Sequence, residues 1–372
     1  MMSYTLAILW HGRQRFVPAV LAVAFSALLV AVQCGLMLGA LSIVSLPIDQ
    51  TRADIWVGGP GLSSVDVTRP IPENWRARFN MPEVERTELF LRGMPLWQKP
   101  DGSAESCIVI GSRLDGNALG AMGKLGPELR ARLAEPGTVV VAEEDLPRLG
   151  LRRGVGETGE LGGQRVRVVG LVRGYRGISG AYVLCSIDTA RQLLRLPADQ
   201  TTFLLVRCKD PADAPRVIDR LAKYREMAAL TTGQFSFRSR CHWLFRTGAG
   251  VALGLAVALG LLVGAVVTSQ TLYAAVASCL REYAVLQAMG IPRWRMAAGV
   301  MTQSLWIGVI GVGLALPIVY GFAPIGAALG APVLLPAWMV CGAVLLTLAT
   351  ALASGLAALR ALRLVEPAVL LR

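Results

Sequence analysis

The sequence predicts an α-helical membrane protein with four transmembrane helices and one mixed α/β extracytoplasmic domain inserted between the first and second spans. Three observations predict it. Asp, Glu, Lys, Arg and His are all absent between Phe16 and Ile48, between Thr247 and Leu280, and between Met296 and Leu359. Hydrophobic residues make up 54% of the 372 positions, above the roughly 45–50% usual for soluble chains. Most of the charge falls in one block between the first two uncharged stretches: 29 Lys and Arg against 23 Asp and Glu from Pro47 to Arg246.

A membrane-spanning helix needs about 20 apolar residues. Residues 1–16 place Leu6, Ile8, Leu9 and Trp10 ahead of His11, Arg13 and Arg15. That pattern reads as a short amphipathic helix on the inner membrane surface, with a disordered tail as the alternative. Residues 17–46 form the first span. Their uncharged core is longer than the 7–15 residues of a signal-peptide apolar region, so the segment reads as retained. The domain occupies 47–240, and the second span 243–275. The third uncharged stretch is too long for one span at about 1.5 Å per residue. It also carries Pro317, Pro324, Pro332 and Pro336. It therefore divides into spans at 297–320 and 337–359, joined by a Gly- and Pro-rich turn, with a tail at 360–372.

Arg13, Arg15, Arg281, Arg293, Arg295, Arg360, Arg363 and Arg372 sit in the short segments beside the spans, against only Glu282 and Glu366. Basic residues in short loops face the cytoplasm, whereas long domains translocate largely regardless of charge. Both termini and the loop 276–296 are therefore expected inside, and the domain and the turn near Gly330 outside. The formal net charge of +12 is largely this topological signal, so no nucleic-acid partner is expected; membrane lipid is.

Within the domain, strands are predicted at Asp54–Val57, Val84–Phe90, Cys107–Gly111, Thr138–Ala142, Gln164–Val172, Tyr182–Ser186 and Thr202–Arg207. Several are β-branched runs bounded by Gly, Pro or Asp, and Gln164–Val168 alternates polar with apolar. Asp188 is a candidate cap for a helix over Thr189–Leu196. Asp210 before Pro211 starts another over Ala212–Ala229, and the polar Thr231–Ser239 reads as a link into the second span. Cys107, Cys185 and Cys208 read as small buried apolar residues, with a disulfide between two of them the alternative in an oxidising compartment.

No phosphate-binding loop occurs, since Gly123-Lys124 is followed by Leu125. No metal-ligand cluster or hydrolase motif occurs either, so the chain reads as non-catalytic, with no cofactor of its own. Glu143, Glu144 and Asp145 read as a solvated loop. Ion-coupled transporters generally carry ionisable groups inside the membrane, and none of the four spans has one. Any energy input is therefore expected from another subunit. The pairs Gly35/Gly39, Gly250/Gly254, Gly260/Gly264 and Gly326/Gly330 are small-xxx-small spacings that let helix backbones approach.

The loop reads Arg281-Glu282-Tyr283-Ala284-Val285-Leu286-Gln287-Ala288-Met289-Gly290, then Ile291-Pro292-Arg293-Trp294-Arg295. Gly290 and Pro292 stop a helix, and Trp294 with its flanking arginines suits a membrane interface. The same residues resemble the loop after the second span in the MacB/FtsX-type ABC transporter permease superfamily. The end of the chain, from Leu359 through Arg363, Glu366 and Pro367 to Arg372, is similar to that superfamily's terminal pattern. Ala53-Asp54-Ile55-Trp56-Val57, soon after the first span, resembles DevC-like permeases. Leu149–Gly154 followed by Val166–Val172 is similar to a stretch of MacB-type outer domains, except that Val155-Gly156-Glu157 replaces an acidic residue directly after the glycine.

The resemblance implies a permease that works as a homodimer, or paired with a similar permease, together with a separate ATPase subunit that binds the ATP. Arg281, Glu282, Tyr283, Leu286, Met289, Gly290, Pro292, Arg293, Trp294 and Arg295 would then form the ATPase-coupling loop. It implies a bacterial inner-membrane location. In DevC-like members it also implies a periplasmic adaptor and an outer-membrane duct. A lipoprotein-releasing permease and an FtsX-like regulator of a cell-wall enzyme are the alternatives.

Overall fold

The computed structural model describes residues 13–67, 69–120, 125–277, 292–328 and 333–364. In chain order the elements are α1 (Arg13–Asp49), β1 (Ile55–Gly58), β2 (Ile71–Pro72), β3 (Val84–Gly93), β4 (Leu96–Gln98), β5 (Ala104–Ser112), α2 (Pro127–Arg132), β6 (Thr138–Ala142), α3 (Leu146–Leu149), β7 (Thr158–Leu161), β8 (Gln164–Val172), β9 (Ala181–Ser186), α4 (Ile187–Leu194), β10 (Gln200–Thr201), β11 (Phe203–Cys208), α5 (Ala214–Leu221), β12 (Ala228–Thr231), α6 (Thr232–Arg246), α7 (Gly248–Ala277), α8 (Arg293–Ala328) and α9 (Ala337–Leu364). The chain divides into two compact units, Leu41–Thr247 and the remainder.

In the remainder, four helices are long and apolar enough to cross a membrane: Phe16–Asp49, Gly248–Ala275, Ala297–Gly326 and Ala337–Ala357. The first of them runs on past Ala40 into the other unit. Phe16, Ala19 and Val23 of α1 share one buried cluster with Leu272 of α7, Ile307 of α8 and Ala351 of α9. Lipid offers no hydrogen bonds, so polar groups in a span must be satisfied within the protein. Several hydroxyls bond back to the preceding turn: Thr271 to Val267 O at 2.7 Å, Thr347 to Ala343 O at 2.8 Å and Ser354 to Thr350 O at 2.7 Å. Helix α8 does not stop near residue 320. It continues through Pro317 and Pro324 to Ala328, because transmembrane helices tolerate proline where the freed backbone groups find other partners.

The Leu41–Thr247 unit is built on a ten-stranded sheet ordered β12-β1-β11-β3-β5-β4-β7-β8-β6-β9. The additional parallel pairing of β5 with β9, Cys107 opposite Ala181 through Ser112 opposite Ser186, closes one end of it. Strands β5, β4, β7, β8, β6 and β9 thus form a small barrel, and closure removes exposed edges. Its filling includes Trp97, Val109, Val141, Leu161, Val168 and Val183. The Trp97 indole donates to Leu149 O at 3.1 Å. Position 159 must be glycine, because a Cβ there would collide with the Trp97 ring.

The open end of the sheet, β12-β1-β11-β3, is antiparallel and packs apolar side chains on both faces. Successive strand residues point to opposite faces. Ile55, Val57, Leu204 and Val206 therefore pack with Val217 and Leu221 of α5. Trp56, Phe203 and Leu205 pack instead with Phe90 and with Phe235 of α6. Trp56 stands edge-on to Phe90 and Phe203 at centroid distances of 5.1 and 5.2 Å, and 5.3 Å from Phe235.

The predicted strands are present with small shifts of boundary, and four other expectations are corrected. Helix α4 is capped by Ser186, whose Oγ accepts from Thr189 N at 3.2 Å, so it starts two residues before Thr189. The long helix over Ala212–Ala229 is instead the short α5 followed by strand β12, because Leu230 pairs opposite Trp56 on β1. Thr231–Ser239 is no link but the start of α6, closed by a capping box between Thr231 and Gln234. The acidic run Glu143–Asp145 is not a solvated loop. Glu143 pairs with Arg173, Glu144 accepts from Gly174 N at 2.9 Å, and Asp145 is 7% exposed and accepts from Tyr182 N at 3.3 Å.

Glu157 serves the turn where the resemblance placed a departure. Its carboxylate accepts from the amides of Arg152 at 3.1 Å and Gly154 at 3.1 Å, and from that of Arg153. Those bonds hold its pKa below the usual carboxylate range. Cys107, Cys185 and Cys208 are buried free thiols. Burial, helped by Glu105, pushes Cys107 up to about 12.

Two stability tests follow from these contacts. Phe235→Ala removes the α6 anchor from the aromatic cluster and should destabilise the unit by about 3–5 kcal/mol, read as a lower unfolding midpoint of the detergent-solubilised chain. Burial raises the Asp145 pKa. Between the unfolded carboxylate value and that raised value the native state binds more protons, so stability falls as pH rises through this window. Asp145→Asn keeps an acceptor for Tyr182 N and should raise the midpoint at pH 7. That gain should vanish near pH 4; a gain independent of pH would contradict the assignment.

Candidate functional site

Polar side chains outside the strands gather where the end of α1 and helix α6 run together inside the Leu41–Thr247 unit. Ser45 is buried near the end of α1 and donates its hydroxyl proton to Asp49 Oδ2 at 2.6 Å. Arg240 of α6 donates through Nε to Ser45 Oγ at 2.9 Å and through Nη2 to Asp49 Oδ2 at 2.8 Å. Arg240 and Asp49 are about two-fifths exposed, at 40% and 38%. Solvent screening therefore limits the pair to less than about 1 kcal/mol, and its effect is geometric: it sets the register of one helix on the other.

Helix α6 is tied to the strands as well. Ser239 Oγ accepts from Val65 N at 3.2 Å, and Val65 O accepts from Arg92 Nη1 of β3 at 3.0 Å. Thr232 N donates to Asp54 O at 2.9 Å, just before β1. Phe235, Ser239 and Trp243 form the buried stripe at spacings of four. Thr247 alone separates α6 from α7. These contacts tie α6 both to the end of α1 and to the strands.

Sequence reasoning missed Ser45, Asp49 and Arg240. The available signals were the Thr231-x-x-Gln234 capping box and the four-residue spacing of Phe235, Ser239 and Trp243.

Of the proposed coupling residues, Arg281, Glu282, Tyr283, Leu286, Met289 and Gly290 lie outside the described residues. Pro292 precedes α8 and accepts from Arg295 N at 3.0 Å, and Arg293 is the first helical residue. Trp294 is 65% exposed, with the Arg295 guanidinium 5.3 Å from its ring centroid.

The packing glycines lie in helices. Gly35 accepts from Leu334 N at 3.1 Å, and a Cβ there would stand 2.6 Å from Val333 Cγ1. A Cβ on Gly260 would collide with the Gln33 amide, and one on Gly264 would stand 2.5 Å from Ser26 Oγ. As Gly260 faces Gln33 and Gly264 faces Ser26, α1 and α7 cross antiparallel. Gly39 and Gly250 are buried and Gly254 is partly buried. Gly326 lies near the end of α8, and Gly330 is outside the described residues. Gly264→Leu should overpack this contact at a cost of about 1–3 kcal/mol. The check is the unfolding midpoint in detergent, with Gly313→Leu, where a Cβ meets nothing within 4 Å, as the tolerated control.

Comparison with curated proteins returned no match. Among solved structures, the chain is similar to the periplasmic region of MacB from Actinobacillus actinomycetemcomitans, with 10% identity over 50% of this chain and 92% of that one and a TM-score of 0.34. It is also similar to the extracellular domain of the noncanonic ABC-type transporter YknZ from Gram-positive bacteria, with 9% identity over 48% and 98% and a TM-score of 0.33. Residues 17–224 match the MacB-like periplasmic core domain, and residues 254–367 match the FtsX-like permease C-terminal family. The first match alone spans more than half of the chain and the second takes in the last three spans, so this protein belongs to the MacB/FtsX-type permeases of ABC transporters.

Proposed function

We propose that the chain is the permease subunit of a MacB- or DevC-type export system of the bacterial inner membrane, with both termini cytoplasmic. A separate ATPase binds and hydrolyses the ATP. The loop 276–296, including Arg281, Glu282, Met289, Trp294 and Arg295, docks on that ATPase, and the extracytoplasmic domain passes the resulting motion to a periplasmic adaptor. The working unit is a homodimer or a pair of similar permeases. One observation carries this reading: Arg240 locks α6, which leads into α7, to Ser45 and Asp49 at the end of α1. A displacement of the first two spans would reach the domain through both helices at once. The basic residues beside the spans support the orientation. The uncharged spans support an energy source outside this chain.

The test is reconstitution of the permease with its co-purifying ATPase in proteoliposomes. Transport should survive full collapse of proton and sodium gradients by ionophores and stop when the ATPase loses its catalytic glutamate. Met289→Asp should lower ATPase co-purification and transport at least about tenfold, the effect of losing one interface anchor, with membrane insertion unchanged. Arg240→Ala should cut transport while leaving the unfolding midpoint nearly unmoved. Transport driven by an imposed gradient without ATP would overturn the reading. Recovery of a cell-wall hydrolase in place of an adaptor would assign the chain to regulation.

A further inference from the structure

The Leu41–Thr247 unit contains a cavity of about 750 Å³ where the β3–β4 turn, the β7–β8 turn and the C-terminal end of α4 converge. That volume is in the range of sites that hold a ligand or several peptide side chains. Its apolar wall includes Met94, Pro95, Leu96, Leu194 and Leu196. Met94 and Leu96 are 41% and 53% exposed, and large apolar side chains left in solvent beside a cavity mark an interaction site. The wall is preformed: a Cβ on Gly93 would collide with Leu194, and one on Gly162 would stand 2.6 Å from Leu193 O.

Two guanidinium groups also line it. Arg92 is 4% exposed and pairs with Asp66 through Nη2, but its buried Nε has no acceptor. A buried donor left unpaired is destabilising. Arg195 is the one residue other than glycine with positive φ among the described residues, at 52°. The left-handed conformation is strained for a residue with a Cβ, and glycine is the usual residue at such a helix end. An arginine there keeps a guanidinium on the cavity wall, where it donates to Gly162 O at 3.2 Å. Such strain persists at sites that serve binding.

Asp66 and Glu160 line the same wall, so two carboxylates balance two guanidinium groups. The surface thus selects neither an anion nor a cation. It offers hydrogen-bond donors and acceptors around an apolar floor, which is the chemistry an extended polypeptide presents: amide N–H and C=O along the backbone, apolar side chains between. We propose that this cavity docks an apolar, uncharged stretch of polypeptide supplied by a partner protein on the same side of the membrane. Its side chains seat on Met94, Leu96 and Leu194, and its backbone carbonyls face the exposed Arg195 guanidinium.

The experiment uses the full chain in nanodiscs without ATPase, so its outcome is separate from that of the transport assay. The probe is a fluorescein-labelled, end-capped octapeptide alternating Leu with Gln, followed by fluorescence polarisation. Saturable binding is expected, weakened at least about tenfold by Leu96→Asp or Met94→Asp, as for loss of an interface anchor. Both side chains are exposed, so the variants should keep the wild-type unfolding midpoint, which is measured alongside. Replacing every Leu of the probe by Gln should abolish binding. No saturable binding up to about 1 mM, near the weakest affinity of use to a docking site, would overturn the proposal, as would equal binding to wild type and both variants. Displacement by dodecanoate but not by unlabelled peptide would also overturn it, assigning the cavity to acyl chains.

Discussion

The contact on which the domain depends is the aromatic cluster of Trp56, Phe90, Phe203 and Phe235. These four rings come from β1, β3, β11 and α6, with centroids 5.1 to 6.3 Å apart. Tilted and edge-on aromatic pairs contribute about 0.5–1.5 kcal/mol each beyond burial. Ile48, from the end of α1, is buried in the same cluster. One apolar core therefore holds the strand that leaves α1, the strands it pairs with, and the helix that leads to α7. The buried Trp56 indole N–H finds no acceptor, which marks packing as the stronger requirement at that position.

Around this core the sheet solves two problems differently. Its open end is covered on both faces, by α5 on one and α6 on the other, so β1 and most of β11 are apolar on both faces. Its other end closes through the β5–β9 pairing, and the barrel interior takes one side-chain set while the alternate residues face outward. Cys107 and Cys185 lie with the barrel filling, which accounts for thiols that are buried and unpaired.

In the membrane-spanning part, the Thr271, Thr347 and Ser354 hydroxyls bond back to the preceding turn, whereas those of Thr268 and Ser304 are buried without an acceptor, so shape governs much of the helix packing. Small residues bring α1 against α7 at Gly260 and Gly264. Further glycines serve the same end: a Cβ on Gly311 would stand 2.7 Å from Val23 Cγ1, and one on Gly355 would collide with Ser304. The Arg240–Asp49–Ser45 lock contributes little stability but fixes two helices in one register.

The sequence by itself determined the four spans and the insertion of the domain after the first. Both follow from where charge is absent, a signal that needs no partner residues. It also determined the strands with strong β-branched runs, such as Thr138–Ala142 and Gln164–Val172, whose bounds the structure matches. Tertiary structure alone decided the fate of residues 222–239. Ala228–Thr231 is a strand because β1 lies beside it, and the polar Thr231–Ser239 is helical because Phe235 and Ser239 have a core to enter. It alone decided that Asp145 is buried and that Arg240 meets Asp49, 191 positions away in the chain. Barrel closure, the cavity beside α4 and the lock on α1 all join residues distant in sequence. Local propensity carries no record of such meetings, because their free energy arises only when the elements pack.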